Sequence, residues 1–63
     1  MSGSGKGEIY IEFVVQGSVV KVTAIDASTG TEASIVGPAN AAQAALADAA
    51  RRKLAYVMAK KNA

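Results

Sequence analysis

The chain has no cysteine, no histidine and no tryptophan among its 63 residues, and only one proline and one phenylalanine. Without cysteine no disulfide can staple the fold, and without Cys or His the usual ligands of a zinc site are missing. The same absences remove the commonest general base and the most reactive nucleophile. Hydrophobic residues make up 51% of the chain, yet no run approaches the ~20 apolar residues that span a bilayer. The start of the chain lacks the basic and then apolar run of a secretory signal, so a cytoplasmic location is expected, with no membrane partner. A domain of this size buries only about 60% of the surface its unfolded chain exposes. With no disulfide or metal to help, the routes left to stability are tight packing and oligomerisation.

Charge of one sign is scarce at one end and concentrated at the other. From Met1 to Ala50, Lys6 and Lys21 stand against Glu8, Glu12, Asp26, Glu32 and Asp48, a net charge of −3. From Arg51 onward come Arg51, Arg52, Lys53, Lys60 and Lys61 with no acid, a net +5. The molecule is electrically polarised along its sequence.

The opening "GSGKG" has the look of a phosphate loop but not its mechanics. That loop needs glycine, four residues and then Gly-Lys-Ser/Thr between a strand and a helix, so that amides and lysine converge on phosphate while the hydroxyl holds magnesium. Here Gly5-Lys6 is followed by Gly7, and a strand pattern comes next. Residues 1–7 therefore read as a flexible tail, residues 8–61 as a single domain, and residues 62–63 as a frayed end.

Within that domain, Ile9, Ile11, Phe13 and Val15 alternate with Glu8, Tyr10, Glu12 and Val14, the period of two expected of a strand with one face in a core. Gln16-Gly17 is expected as the two-residue turn of a hairpin. That register sets Val15 across from Ser18, Phe13 from Val20, Ile11 from Val22 and Ile9 from Ala24, with Glu12 facing Lys21 and Tyr10 facing Thr23 on the other side. "DASTGTE" reads as a second turn, with Asp26 accepting local hydrogen bonds and Gly30 supplying a positive φ. A third strand, "TEASIVG", turns Ala33 and Ile35 inward and ends at Gly37-Pro38. "ANAAQAALADAARRKLAYVMAKKNA" is a helix, with Asn40 as N-cap and Gln43 completing a capping box. Leu46, Ala50, Leu54, Val57 and Met58, flanked by Ala47 and Ala49, form its apolar stripe. The expected fold is α+β: a three-stranded antiparallel meander with one C-terminal helix packed on one face, β-β-β-α.

Catalysis is not expected. The only acids are Glu8, Glu12, Asp26, Glu32 and Asp48, and Glu8 and Glu12 lie four residues apart on a strand, more than about 10 Å by the strand rise, too far to work one bond together. A Schiff-base lysine would need desolvation, and every lysine is expected on the tail, the sheet surface or the helix C-terminal region. Glu8 and Glu12 read as solvated charges guarding a strand edge. No cofactor and no small-molecule substrate is expected. Two surfaces remain. The sheet face away from the helix should carry Tyr10, Val14, Val19, Ile25 and Val36, a run of apolar residues that one helix cannot cover and a candidate interface. Strand one should be an edge lacking proline, so pairing with its symmetry mate is a second route to self-association. A homodimer, or a contact with a larger protein, is the expected mode of action. The alternative is a weak, sequence-independent nucleic-acid binder using Arg51, Arg52, Lys53, Lys60 and Lys61. Consecutive residues fan around a helix, however, and cations near a helix C-terminus complement its dipole without any partner.

Two resemblances bear on this. The order β-β-β-α and the alanine-rich last helix resemble the C-terminal portion of a double-stranded RNA-binding domain. That family places a lysine cluster at the N-terminus of this helix, where this chain has Asn40-Ala41-Ala42-Gln43, and its first helix has no counterpart here. Across Glu8 to about Met58, the segments "EIYIEF", "VKVTAID", "TGTE", "SIVGPA" and "RKLAYV" resemble a family of very short alphaproteobacterial proteins of unknown function. The resemblance implies a free-standing bacterial cytoplasmic protein and carries no assigned activity or site residue.

Overall fold

The structure, a computed structural model, describes residues 8–61; the tail assigned to residues 1–7 and the end at 62–63 lie outside the described residues. Strands β1 (Ile9–Gln16), β2 (Val19–Asp26) and β3 (Glu32–Pro38) form one antiparallel sheet in the order β1-β2-β3, and helix α1 (Gln43–Lys61) follows. The expected β-β-β-α fold is the one observed.

The first hairpin closes one step later along the chain than expected. Gln16 pairs with Val19, Val15 with Val20, Phe13 with Val22 and Ile11 with Ala24. The turn is therefore Gly17-Ser18, not Gln16-Gly17. Gly17 takes φ +64°, as the first central residue of a hairpin turn of the II′ kind must, and glycine is the residue that does so without steric cost. With the turn moved, Glu12 lies across from Thr23 and Tyr10 from Ile25, while Lys21 lies between Val14 and Val36. The expected Glu12–Lys21 and Tyr10–Thr23 pairs do not form. A slip of two residues keeps every side chain on its face, so the assignment of residues to faces survives it.

The second turn follows its chemistry. Asp26 accepts hydrogen bonds from the Thr29 hydroxyl at 2.7 Å and the Ser28 hydroxyl at 3.1 Å, and the Gly30 amide donates to the Asp26 carbonyl at 2.7 Å. Gly30 adopts φ +76°. Strand β3 continues through Gly37-Pro38, with Pro38 across from Val19. Proline is tolerated there because the N–H it lacks would point away from β2, off the sheet.

The helix starts later than expected. A turn closed by the Ala41 amide on the Pro38 carbonyl, 3.1 Å, lifts the chain off the sheet, and the first helical hydrogen bond runs from the Leu46 amide to the Ala42 carbonyl. Asn40 lies in that turn and caps nothing; Ala42 holds the cap position with no side-chain acceptor. The stripe beyond it is as expected: Leu46, Ala47, Ala50 and Leu54 are buried, and Val57 and Met58 pack against the core at its margin. They meet Val20, Val22 and Ala24 of β2 and Ala33 of β3. A Cβ on Gly37 would stand 2.7 Å from a Leu46 methyl, so the missing side chain is what lets the helix settle against β3. The helix accordingly lies over β2 and β3 and scarcely touches β1.

Candidate protein interface

The off-centre helix leaves two apolar surfaces that meet along β1. On the sheet face away from the helix, Tyr10, Val14, Val19 and Val36 are exposed, Tyr10 by 56% and Val36 by 66%, while Ile25 on the central strand is half-buried. All five residues expected on this face are there. At its centre the Thr23 and Ser34 hydroxyls bond to each other at 2.8 Å. Each thereby has a partner, so covering this face would not orphan either of them. The charged residues of the face, Glu12, Lys21 and Glu32, make no ion pair among the described residues.

The second surface was not legible in the sequence. Ile9, Ile11, Phe13 and Val15 point to the helix side of the sheet, opposite Asp26, Ala24, Val22 and Val20. Because the helix sits over the other two strands, Ile11 and Phe13 are only half-buried, Ile9 is exposed, and Val15 is 65% exposed. Strand β1 is thus apolar and accessible on both faces.

Its backbone is open as well. Around a two-residue turn, residues of an antiparallel pair alternate between exchanging hydrogen bonds and facing outward. The Ala27 amide donates to the Glu8 carbonyl at 3.1 Å, which continues that alternation and assigns the even-numbered residues of β1 to β2. The N–H and C=O groups of Ile9, Ile11, Phe13 and Val15 therefore point off the edge, and no hydrogen bond engages them among the described residues. The β3 edge differs. The same alternation, anchored by the Ala39 amide on the Ser18 carbonyl at 2.9 Å, directs Glu32, Ser34, Val36 and Pro38 outward. Lys53 donates from Nζ to the Ser34 carbonyl at 2.7 Å, and Pro38 has no N–H to offer.

The basic residues of the helix do not converge. Arg51 pairs with Asp48 at 2.9 Å, an exposed pair within one helical turn. Lys53 reaches the β3 edge, Lys61 donates to the Thr31 hydroxyl at 3.3 Å, and Lys60 stands 5.4 Å from the centre of the Tyr56 ring. Arg52 makes no hydrogen bond among the described residues.

A shallow depression of about 170 Å³ between the second turn and the helix end is lined by Thr29, Thr31, Met58 and Lys61. It falls below the roughly 300–1,000 Å³ of small-molecule pockets. Nearby, the Thr29 hydroxyl holds the Asp26 carboxyl below its ordinary pKa of 3.8, helped by the Ser28 hydroxyl and the Ser28 and Thr29 amides; burial opposes the shift without reversing it. That carboxylate serves the turn.

Fold and surface together define a small β-β-β-α domain with an uncovered sheet face and, at β1, an edge that no side chain engages among the described residues. The chain belongs to the family described as a domain of unknown function, DUF6898, whose model matches residues 6–61. No curated protein and no solved structure matches it. No helix among the described residues is long and apolar enough to cross a membrane.

Proposed function

We propose that this chain is a non-enzymatic interaction module that works as a homodimer, joined through the open sheet face or the β1 edge, in the cytoplasm of an alphaproteobacterium. The observation that carries the reading is the exposure of Tyr10, Val14, Val19 and Val36 on one small sheet, continuous with the uncovered residues of β1. A marginally buried 63-residue domain gains most from covering such a surface. The cellular setting rests on the sequence resemblance. The reading includes no cofactor and no small-molecule substrate.

Nucleic-acid binding by Arg51, Arg52, Lys53, Lys60 and Lys61 is the weaker alternative, because Arg51, Lys53 and Lys61 have partners within the chain that lie in different directions. Sedimentation over a wide concentration range, at low and high salt and with a short RNA duplex, separates the two. A protein-only dimer insensitive to salt is expected. A chain that stays monomeric at every concentration and shifts only with the duplex at low salt would overturn the reading, since phosphate binding is the salt-sensitive mode.

A further inference from the structure

We infer that two copies of this chain join by antiparallel pairing of β1 with β1 about a two-fold axis at Phe13, making one continuous sheet from two three-stranded ones. The inference rests on the self-association reading and narrows it to one surface and one register.

Three observations select the occupant and the alignment. The first is that the two edges are unlike. At β3 the Ser34 carbonyl is engaged by Lys53 and Pro38 withholds a donor, whereas at β1 the groups of Ile9, Ile11, Phe13 and Val15 are open. The β3 edge still turns Glu32 and Val36 outward but is blunted at two of its four outward residues, Ser34 and Pro38, so β1 meets another β1 in preference to β3 and the assembly does not run on into a filament. The β1 pairing closes after two copies.

The second is charge. Backbone alignment requires the outward-pointing, odd-numbered residues of the two strands to face each other. Centring the pair on Glu12 would set that carboxylate directly against its own copy, a destabilising like-charge pair. A shift of one residue toward the turn centres the pair on Phe13. Ile11 then exchanges hydrogen bonds with Val15 of the second copy, and Glu12 lies across from Val14 of the second copy. Tyr10 meets Gln16, and no acid opposes an acid.

The third is burial. This register covers Val15, the most exposed apolar residue on the helix side, and aligns the half-buried Ile11 and Phe13 of both copies in one apolar strip. On the other side it adds Tyr10 and Val14. A strand pair covers less than the ~1,200–2,000 Å² of a standard interface, so dissociation in the micromolar range is expected rather than tighter.

The register makes a prediction opposite in sign to that of face-to-face packing. Val14→Lys sets a cation across from Lys21 of its own sheet, a repulsion present in monomer and dimer alike. It also sets that cation across from Glu12 of the second copy at two symmetric places, an attraction that only the dimer has, so it should tighten the dimer about 2- to 10-fold at low salt. A dimer packed by its sheet faces would be broken by the same change. Val15→Pro removes an N–H that makes no bond within the chain and should abolish dimerisation while the monomer stays folded. Val19→Lys on the open face should leave the dimer intact.

Sedimentation equilibrium of the wild type and these three variants reads all of this. The inference holds if Val15→Pro is monomeric, Val14→Lys is tighter and Val19→Lys is unchanged. If the wild type dimerises but Val14→Lys and Val19→Lys are monomeric, the β1 register is wrong while self-association stands. If the wild type never dimerises, both fail. Should Val15→Pro not fold, the sign of the Val14→Lys effect decides alone.

Discussion

The two edges of this sheet have been treated very differently. At β3 the helix leans over the strand. Gly37 admits Leu46 to within contact, Lys53 engages the Ser34 carbonyl and Pro38 ends the ladder. At β1, among the described residues, no helix, proline or lysine intervenes, and Ile9, Tyr10, Val14 and Val15 remain exposed. Lysine, proline and a covering helix are the devices by which proteins blunt an edge. Their concentration on one side shows that a single helix on three strands must leave something uncovered, and that here the shortage falls on the N-terminal strand. Where a small domain places its coverage indicates where it can still accept a partner.

The comparison can be broken first at the covered side. Leu54 is 1% exposed in the helix–sheet core, so Leu54→Ala should cost about 2–5 kcal/mol and lower the melting temperature by roughly 10 °C or more. Val15→Ala, at the uncovered strand, should change the stability of the dilute monomer by less than about 0.5 kcal/mol. Equal losses in thermal melts would mean that β1 is held as firmly as the rest. A smaller effect is expected at Gly37, where the added methyl of Gly37→Ala must displace the end of the Leu46 side chain. Overpacking of this kind costs about 1 kcal/mol. It should also loosen the helix from β3, seen as faster amide exchange in the first helical turns.

The turn that joins the two covered strands should respond to acid. The Asp26 carboxyl titrates below 3.8 in the folded chain, so the unfolded chain binds that proton more readily. The stability it contributes is fully present above the ordinary value and is lost as pH falls through the folded one. Urea melts between neutral pH and pH 3 should show this loss in the wild type, and a flatter acid limb in Asp26→Asn. The smallest change in stability, within about 0.5 kcal/mol, is expected of Lys53→Met. Its effect is instead on assembly: removing the Nζ from the Ser34 carbonyl opens the second edge, and species larger than a dimer should appear in light scattering.

Much of this was legible in the sequence, and the exceptions have identifiable causes. The alternation from Ile9 to Val15 and the stripe from Leu46 to Met58 assigned each residue to its face, and Tyr10, Val14, Val19, Ile25 and Val36 lie where that pattern put them. The register escaped because a two-residue slip preserves every face. Only the conformational demand on the first turn residue distinguishes Gly17-Ser18 from Gln16-Gly17. The helix start escaped because Asn40 and Gln43 mimic a capping box, whereas the chain leaving Pro38 needs a turn before it can rise over the sheet. The uncovered helix side of β1 had no local signal at all. It follows from the lateral position of the helix, set by Gly37 against Leu46, and that is a property of packing between elements far apart in sequence.

The central claim, that β1 is the open edge and is closed by a second copy, is tested most directly by amide hydrogen exchange at residue resolution, at concentrations below and above dimerisation. The account predicts that the amides of Ile11, Phe13 and Val15 exchange rapidly in the dilute chain and become protected as concentration rises, while those of Glu32 and Val36 on the β3 edge do not change. Protection that appears at Glu32 and Val36 instead, or that leaves the β1 amides unaltered in a protein shown to dimerise, would contradict it.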